Sequence, residues 1–183
     1  VTHAARTRQM DRMGGLAKRM PWTAFAFLVG AVAICGLPPL NGFVSEWLLY
    51  LGLLKGANGT SGGAFAALIG VPALAMTGAL ALACFVKVTG TVFLGSPRTR
   101  PAGAAREVSR CERVPMAVLV AGCVFIGVCP SVVAPALDDA AGCWLQGSGV
   151  VVTPVAQAVP LGVIPLLALL LLACAAGIAW RMR

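Results

Sequence analysis

Charge is what this sequence has least of. Only 11% of its 183 residues are charged, against 59% hydrophobic, and six Asp and Glu stand beside fourteen Lys and Arg. With a mean hydropathy of +0.90, a water-soluble domain of this length would have nowhere to hide its apolar side chains. A bilayer is implied. The seven cysteines, at 35, 84, 111, 123, 129, 143 and 174, form no Cys-x-x-Cys pair, and most lie inside apolar runs where a thiol behaves as a small hydrophobe. No iron–sulfur cluster, zinc site or disulfide framework is expected. No flavin, quinone or metal motif is present, so no cofactor is expected either. A signal-peptide pattern and a solenoid-type repeat are also missing. The chain begins at Val1 rather than Met and is expected to be a piece of a longer protein.

A net charge of +8 invites a nucleic-acid reading, which the placement of the charges opposes. The basic residues sit almost entirely in the connections between apolar runs, with no aromatic-interleaved basic face. That is the pattern of membrane topology, with basic loops held on the cytoplasmic side. The fold expected is therefore all-α: a polytopic transmembrane helix bundle of about four spans forming a single domain over 1–183. A spanning helix needs about 20 apolar residues. The spans fall at about 21–54, 70–94, 115–137 and 161–180. Residues 64–71 serve as a lead-in to the second span or signal its tilt.

The first of these is too long for one simple helix and is interrupted by Leu37-Pro38-Pro39-Leu40-Asn41-Gly42. Charge parity favours a single broken crossing. If 21–54 crosses once, the five basic residues in 1–20, the five in 96–114, and Arg181 with Arg183 share one side. Lys55, Asp138 and Asp139 take the other. A double crossing would put the two basic clusters on opposite faces, against the positive-inside bias. Trp22 and Trp180 then mark the cytoplasmic boundary, and Trp144 lies in the opposite loop.

Pro38 and Pro39 each lack an N–H, and each drives the preceding residue out of helical geometry. The helical ladder must open near Gly36, and its freed carbonyls are tolerated at membrane depth only beside protein or a water-filled cavity. Gly42 gives the chain room to re-enter a helix, and Asn41 is expected to cap it. Glu46 follows within about a turn, roughly 12 Å in from the far boundary near Leu54. An ionisable group at that depth is a functional-site candidate. The plain alternative is a kinked helix whose Glu46 only hydrogen-bonds a neighbouring helix.

Lys87 is the second charge at depth, roughly 11 Å before Leu94. On an antiparallel span it can meet Glu46 at a similar height, or its long stem can snorkel to the interface. Histidine is the residue type suited to proton exchange near neutral pH, but His3 stands in the basic opening segment, where a lone histidine is more often incidental. Asp138 and Asp139 read as a solvated loop or a helix-end cap.

The stretch HAARTRQMDRMGGLAKRMPWTAFAFLVGAVAICGLPPLNGFVSEWLL resembles the antiporter-like proton-pumping subunits. These include the large membrane subunits of respiratory complex I, of cation/proton antiporter complexes, and of energy-converting hydrogenases and formate hydrogenlyase. The resemblance rests on His3, the Met13-Gly14-Gly15-Leu16 turn, Pro21, the break at Gly36, Pro38 and Pro39, and Gly42-Phe43 before Ser45-Glu46. GFVSEWLLY and FVKVTGTVFLGSPR look most like the hydrogenase-4/formate hydrogenlyase branch.

The resemblance implies that the break lies in a discontinuous transmembrane helix and that Glu46 is one of a chain of buried proton-relaying groups. Lys87 matches a basic relay position of some members. The last two spans match in hydropathy more than in motif. Family members are much longer and carry further relay residues upstream of the part matched here. The chain is thus expected to be the C-terminal part of a non-redox, proton-translocating subunit in an oxidoreductase complex of the bacterial inner membrane. Its partners would be lipid, protons, other membrane subunits and a peripheral redox arm, with no nucleic acid. A cation/proton antiporter subunit and a truncated, non-pumping scaffold are the alternatives.

Overall fold

A computed structural model describes residues 1–58, 63–145 and 154–158, with a few isolated positions beyond. The expected span 161–180, as a span, and Trp180 lie outside the described residues. Five longer helices and several short ones make up what is described: α1 (Thr2–Ala5), α2 (Leu16–Arg19), α3 (Pro21–Ile34), α4 (Asn41–Ala57), α5 (Ala64–Val88), α6 (Arg100–Gly103), α7 (Arg110–Val128), α8 (Pro130–Leu145) and α9 (Val155–Ala158). A 3₁₀ turn covers Met10–Arg12, and α5 runs on as a π-helical turn over Thr89–Phe93. No strand occurs among the described residues. The fold is an all-α membrane bundle.

The apolar side chains face outward. Phe65 is 72% exposed on α5 and Leu119 is 70% exposed on α7, an arrangement costly in water and natural in lipid. The continuous helix Ala64–Phe93 has 30 residues, and α7 has 19. At 1.5 Å per residue these reach about 45 Å and 28 Å, against a hydrocarbon core of about 30 Å.

Proline decides where the other helices begin and stop. Pro21 opens α3 at its first turn, where a missing N–H costs nothing. The Gly36–Leu40 region ends it, with Gly36 at φ 62° and the Pro38–Pro39 bond cis. The sequence-based expectation of a broken first segment therefore holds as geometry. Pro72, by contrast, is carried inside α5, so the lead-in 64–71 is helical and continuous with the rest of that helix.

The stretch 115–137, expected as one span, is carried by two helices. Cys129 closes α7 at φ −121°, ψ 56°, because Pro130 disfavours helical geometry at the residue before it. The chain restarts as α8.

Small residues set the register of these helices. Along α4 and α5, Gly56 meets Ala67, Gly70 meets Leu53 and Gly78 meets Glu46, an antiparallel pairing. Beside the second half of α5, Phe27 of α3 packs against Phe85 and Phe93, with ring centroids 6.0 and 4.9 Å apart. Thus α3 and α4 run in the same sense past α5, as one interrupted traverse. A second interrupted traverse, α7 then α8, lies alongside. Trp22 and Arg113 line one groove at its start, Gly127 abuts Pro39 and Leu40, and Ala134 packs on Leu48 and Leu51.

The segments 1–20 and 96–109 fold onto each other at one end. Gly15 N–H donates to the Leu94 carbonyl at 2.9 Å, and Thr99 Oγ1 donates to the Arg12 carbonyl at 3.0 Å. Beneath them Ala5, Met13, Leu16, Met20, Val92, Phe93 and Ala102 form the buried core. The two basic clusters therefore share one end of the bundle. At the other end Asp138 Oδ1 accepts the Val155 N–H at 2.9 Å. It caps α9 from within α8, and Trp144 stands 90% exposed nearby in sequence.

Candidate functional site

Glu46 stands in the second turn of α4, half-buried, and its carboxyl group lies directly over Gly36. A Cβ at Gly36 would coincide with the Glu46 carboxylate, and φ 62° there disfavours any L side chain. A Cβ at Gly42 would run into the Ala33 carbonyl. Two glycines thus let the ends of α3 and α4 close around the acid. Gly78 of α5 supplies the third wall, with a Cβ position 4.0 Å from Glu46 Oε2. Cys35 lies within electrostatic range of both Glu46 and Cys84.

Lys87 is not part of this cluster. It is exposed and lies nine positions beyond Gly78, about 14 Å along the helix. That exceeds the reach of its side chain, so the direct pairing with Glu46 is not made. The antiparallel register places Glu46 level with the middle of α5 and Lys87 nearer the basic end.

Asn41 does not cap α4 as expected. Leu40 holds the cap position at φ −92°, ψ 166°, and no side chain caps it. Asn41 is instead the first helical residue. Its Oδ1 is the one buried side-chain polar atom without a partner among the described residues. Nearby, Ser45 Oγ donates to the Gly42 carbonyl at 2.9 Å.

His3 is exposed in a polar groove of about 820 Å³ with Arg6, Arg100, Arg106 and Glu112, at the basic end and away from Glu46. Among the described residues no three His, Cys, Asp or Glu gather to hold a metal ion.

Sequence reasoning missed Glu107. Its carboxylate accepts the Trp22 N–H at 2.8 Å, the Thr23 hydroxyl at 2.6 Å and the Val108 N–H at 3.1 Å. It therefore caps the start of α3 from a distant loop. Burial pushes its pKa up, and the hydrogen bonds from Thr23, Val108 and Trp22 outweigh that, holding it below the ordinary carboxylate value. No local pattern announces a cap whose partner lies 84 residues away. The second break was more accessible, since Val128-Cys129-Pro130 carries the same helix-ending logic as Leu37-Pro38.

A broken membrane helix folded around a carboxylate is an arrangement that transporters use at membrane depth. Similarity to known proteins narrows it. A family profile described as "NADH:quinone oxidoreductase/Mrp antiporter, TM" matches residues 1–87. The chain is 45% identical over 130 residues to hydrogenase-4 component B of Escherichia coli (strain K12), covering 70% of this chain and 19% of that protein. It is 39% identical over 170 residues to formate hydrogenlyase subunit 3 of the same strain, covering 91% of this chain and 26% of the relative. To a Na(+)/H(+) antiporter subunit of Alkalihalophilus pseudofirmus it is 31% identical over 121 residues, covering 66% and 22%. Residues 1–87 thus carry the profile of this antiporter-like transmembrane family, and the chain is similar over most of its length to the two Escherichia coli membrane proteins. It spans about a quarter or less of the length of these relatives.

Proposed function

We propose that this chain forms the C-terminal part of a proton-translocating membrane subunit in an energy-converting oxidoreductase complex of the hydrogenase-4/formate hydrogenlyase type. The observation that carries the reading is the Glu46 carboxyl group seated on the Gly36 turn of a broken helix. A helix break at membrane depth leaves carbonyls and N–H groups that water or protein must satisfy, and a carboxylate there is stable only with hydration or partners. Glu46 takes a proton from water on one side of the break and releases it on the other. Coupling comes from charge movements in neighbouring subunits, which raise or lower its proton affinity.

Lys87 serves as a separate basic station nearer the basic end, acting on Glu46 through intervening water rather than by direct contact. The basic end faces the cytoplasm of a bacterial inner membrane. Partners are the other membrane subunits, the peripheral redox arm and lipid.

The antiporter reading is favoured by the similarity to a Na(+)/H(+) antiporter protein. It uses the same acid with a metal cation as the counter-moving ion. A non-pumping scaffold is the third reading. The experiment is Glu46→Gln in the intact complex, with proton uptake into inverted vesicles followed during substrate oxidation. Loss of uptake with electron transfer retained supports the reading. Proton uptake driven by an imposed sodium gradient alone supports the antiporter, and undiminished uptake removes Glu46 from the mechanism.

A further inference from the structure

The basic end of the bundle uses its arginines unequally. Arg98 Nη1 donates to the Asp11 carbonyl at 3.3 Å, and Arg113 Nε donates to the Val108 carbonyl at 2.8 Å, so both are committed to backbone carbonyls. Arg6, Arg100 and Arg106 are left over. Among the described residues no side-chain hydrogen bond or ion pair engages their guanidinium groups, yet all three line the polar groove of about 820 Å³, a volume in the ordinary range of ligand sites. Arg6 is held at φ 51°, the one non-glycine residue at positive φ among the described residues, a conformation that L side chains rarely adopt. Two carboxylates, Glu107 and Glu112, share the groove. Glu107 is committed to the start of α3 through the Trp22 N–H and the Thr23 hydroxyl, so positive charge is left in excess.

The polar groove leads into an apolar one. Thr23, bonded to Glu107 in the polar wall, also heads a groove of about 300 Å³ between α3 and α7, and Val1 lines both. Thr23, Phe27 and Gly30 on α3 stand at i, i+4 and i+7, and Met116, Leu119 and Cys123 on α7 at i, i+3 and i+7. One face of each helix therefore lines the apolar groove for about 10 Å along the axis. Gly30 leaves it open, since a Cβ there would meet nothing within 4 Å. At the start of α3 Trp22 is 64% exposed, as aromatic residues are at the headgroup level of a bilayer. A cationic groove at that level, continued by a hydrocarbon-lined one, matches a molecule that is anionic at one end and apolar at the other. A soluble phosphate would use only the first.

We propose that this is a binding site for an anionic phospholipid, with the phosphodiester held by Arg6, Arg100 and Arg106 and one acyl chain lying in the groove between α3 and α7. Guanidinium groups suit this ligand because their paired N–H donors match phosphate oxygens, and basic pockets between membrane helices hold anionic headgroups. The lipid braces the α3–α7 contact and ties both loop segments to the membrane surface. The inference is independent of the role proposed for Glu46.

The test uses the intact complex, stripped of lipid in detergent and titrated with phosphatidylglycerol, phosphatidylcholine or inorganic phosphate. Bound lipid is counted by native mass spectrometry and the melting temperature is followed. Phosphatidylglycerol is expected to bind and to raise the melting temperature more than phosphatidylcholine does, and inorganic phosphate to leave it unchanged. The double variant Arg6→Gln/Arg106→Gln should need roughly tenfold more phosphatidylglycerol for the same rise, the equivalent of one lost charge-assisted hydrogen bond. Gly30→Leu, which fills the apolar groove and leaves the arginines in place, should weaken lipid binding as well. A parent-like response to phosphatidylglycerol in either variant overturns the proposal, and so does an equal response to phosphatidylcholine in the parent. Stabilisation by inorganic phosphate equal to that by phosphatidylglycerol assigns the groove to a soluble anion and also overturns it. If the variants do not assemble, a high-resolution map of the parent complex in phosphatidylglycerol nanodiscs decides. Lipid density with its phosphate within hydrogen-bonding distance of Arg6 or Arg106 supports the proposal, and polypeptide filling the two grooves overturns it.

Discussion

Gly127 of α7 carries the Pro39 carbonyl of the neighbouring broken segment on its bare Cα. The contact joins two interruptions that lie far apart in sequence, and it permits no side chain. Gly127→Ala must displace either backbone. Overpacking of this kind costs about 1–3 kcal/mol, and here it also separates the breaks. The expected outcome is a lower melting temperature in detergent together with reduced proton uptake. Gly122→Ala, at a position with open space beside its Cα, is the control and should change neither.

Glu107 gives a pH-dependent prediction. Its pKa in the folded protein lies below the ordinary 4.5, so folding favours the ionised form. The stabilisation it supplies is complete above that ordinary value and is lost as pH falls through the depressed native one. Glu107→Ala should cost about 1 kcal/mol, the scale of a lost helix cap, at neutral pH. The difference between parent and variant should shrink in acid, as thermal unfolding at a series of pH values would record.

Lys87 and Glu46 should behave as independent sites in stability. Residues more than about 10 Å apart without shared partners usually add within about 0.5 kcal/mol. A double-mutant cycle with Glu46→Gln and Lys87→Met, read by unfolding of the purified protein, should give a coupling energy in that range. A coupling of several kcal/mol would restore the direct pair.

Membrane orientation is testable by labelling. Single cysteines at Lys18 and Arg106, in a background without the native cysteines, should react together with an impermeant reagent from the cytoplasmic side. A cysteine at Lys55 should react only from the opposite side. Reaction of Lys18 and Arg106 from different sides would break the single-traverse topology.

Much of this architecture is legible in the sequence because the bilayer simplifies the problem. Hydropathy identifies the apolar runs, and Pro38 with Pro39 forces a break wherever the tertiary structure puts it. Glu46 stands out because an acid in such a run is rare. What the sequence does not reveal is lateral packing. Lys87 and Glu46 look matched in depth when counted from the span ends, yet helix register, fixed by contacts such as Gly56 with Ala67 and Gly70 with Leu53, sets them apart. Asn41 reads as a cap by type, and the geometry at Leu40 takes that position instead. Pro72 and Pro130 show that proline alone is ambiguous. One is absorbed within α5 and the other ends α7, and only the surroundings of each decide.

The most direct test of the account is infrared difference spectroscopy of the intact complex in turnover, comparing the parent with Glu46→Gln. A protonated-carboxyl C=O band that comes and goes with turnover, shifts in deuterium oxide, and vanishes in the variant is the predicted result. The same band persisting unchanged in Glu46→Gln would contradict a proton carried by that side chain.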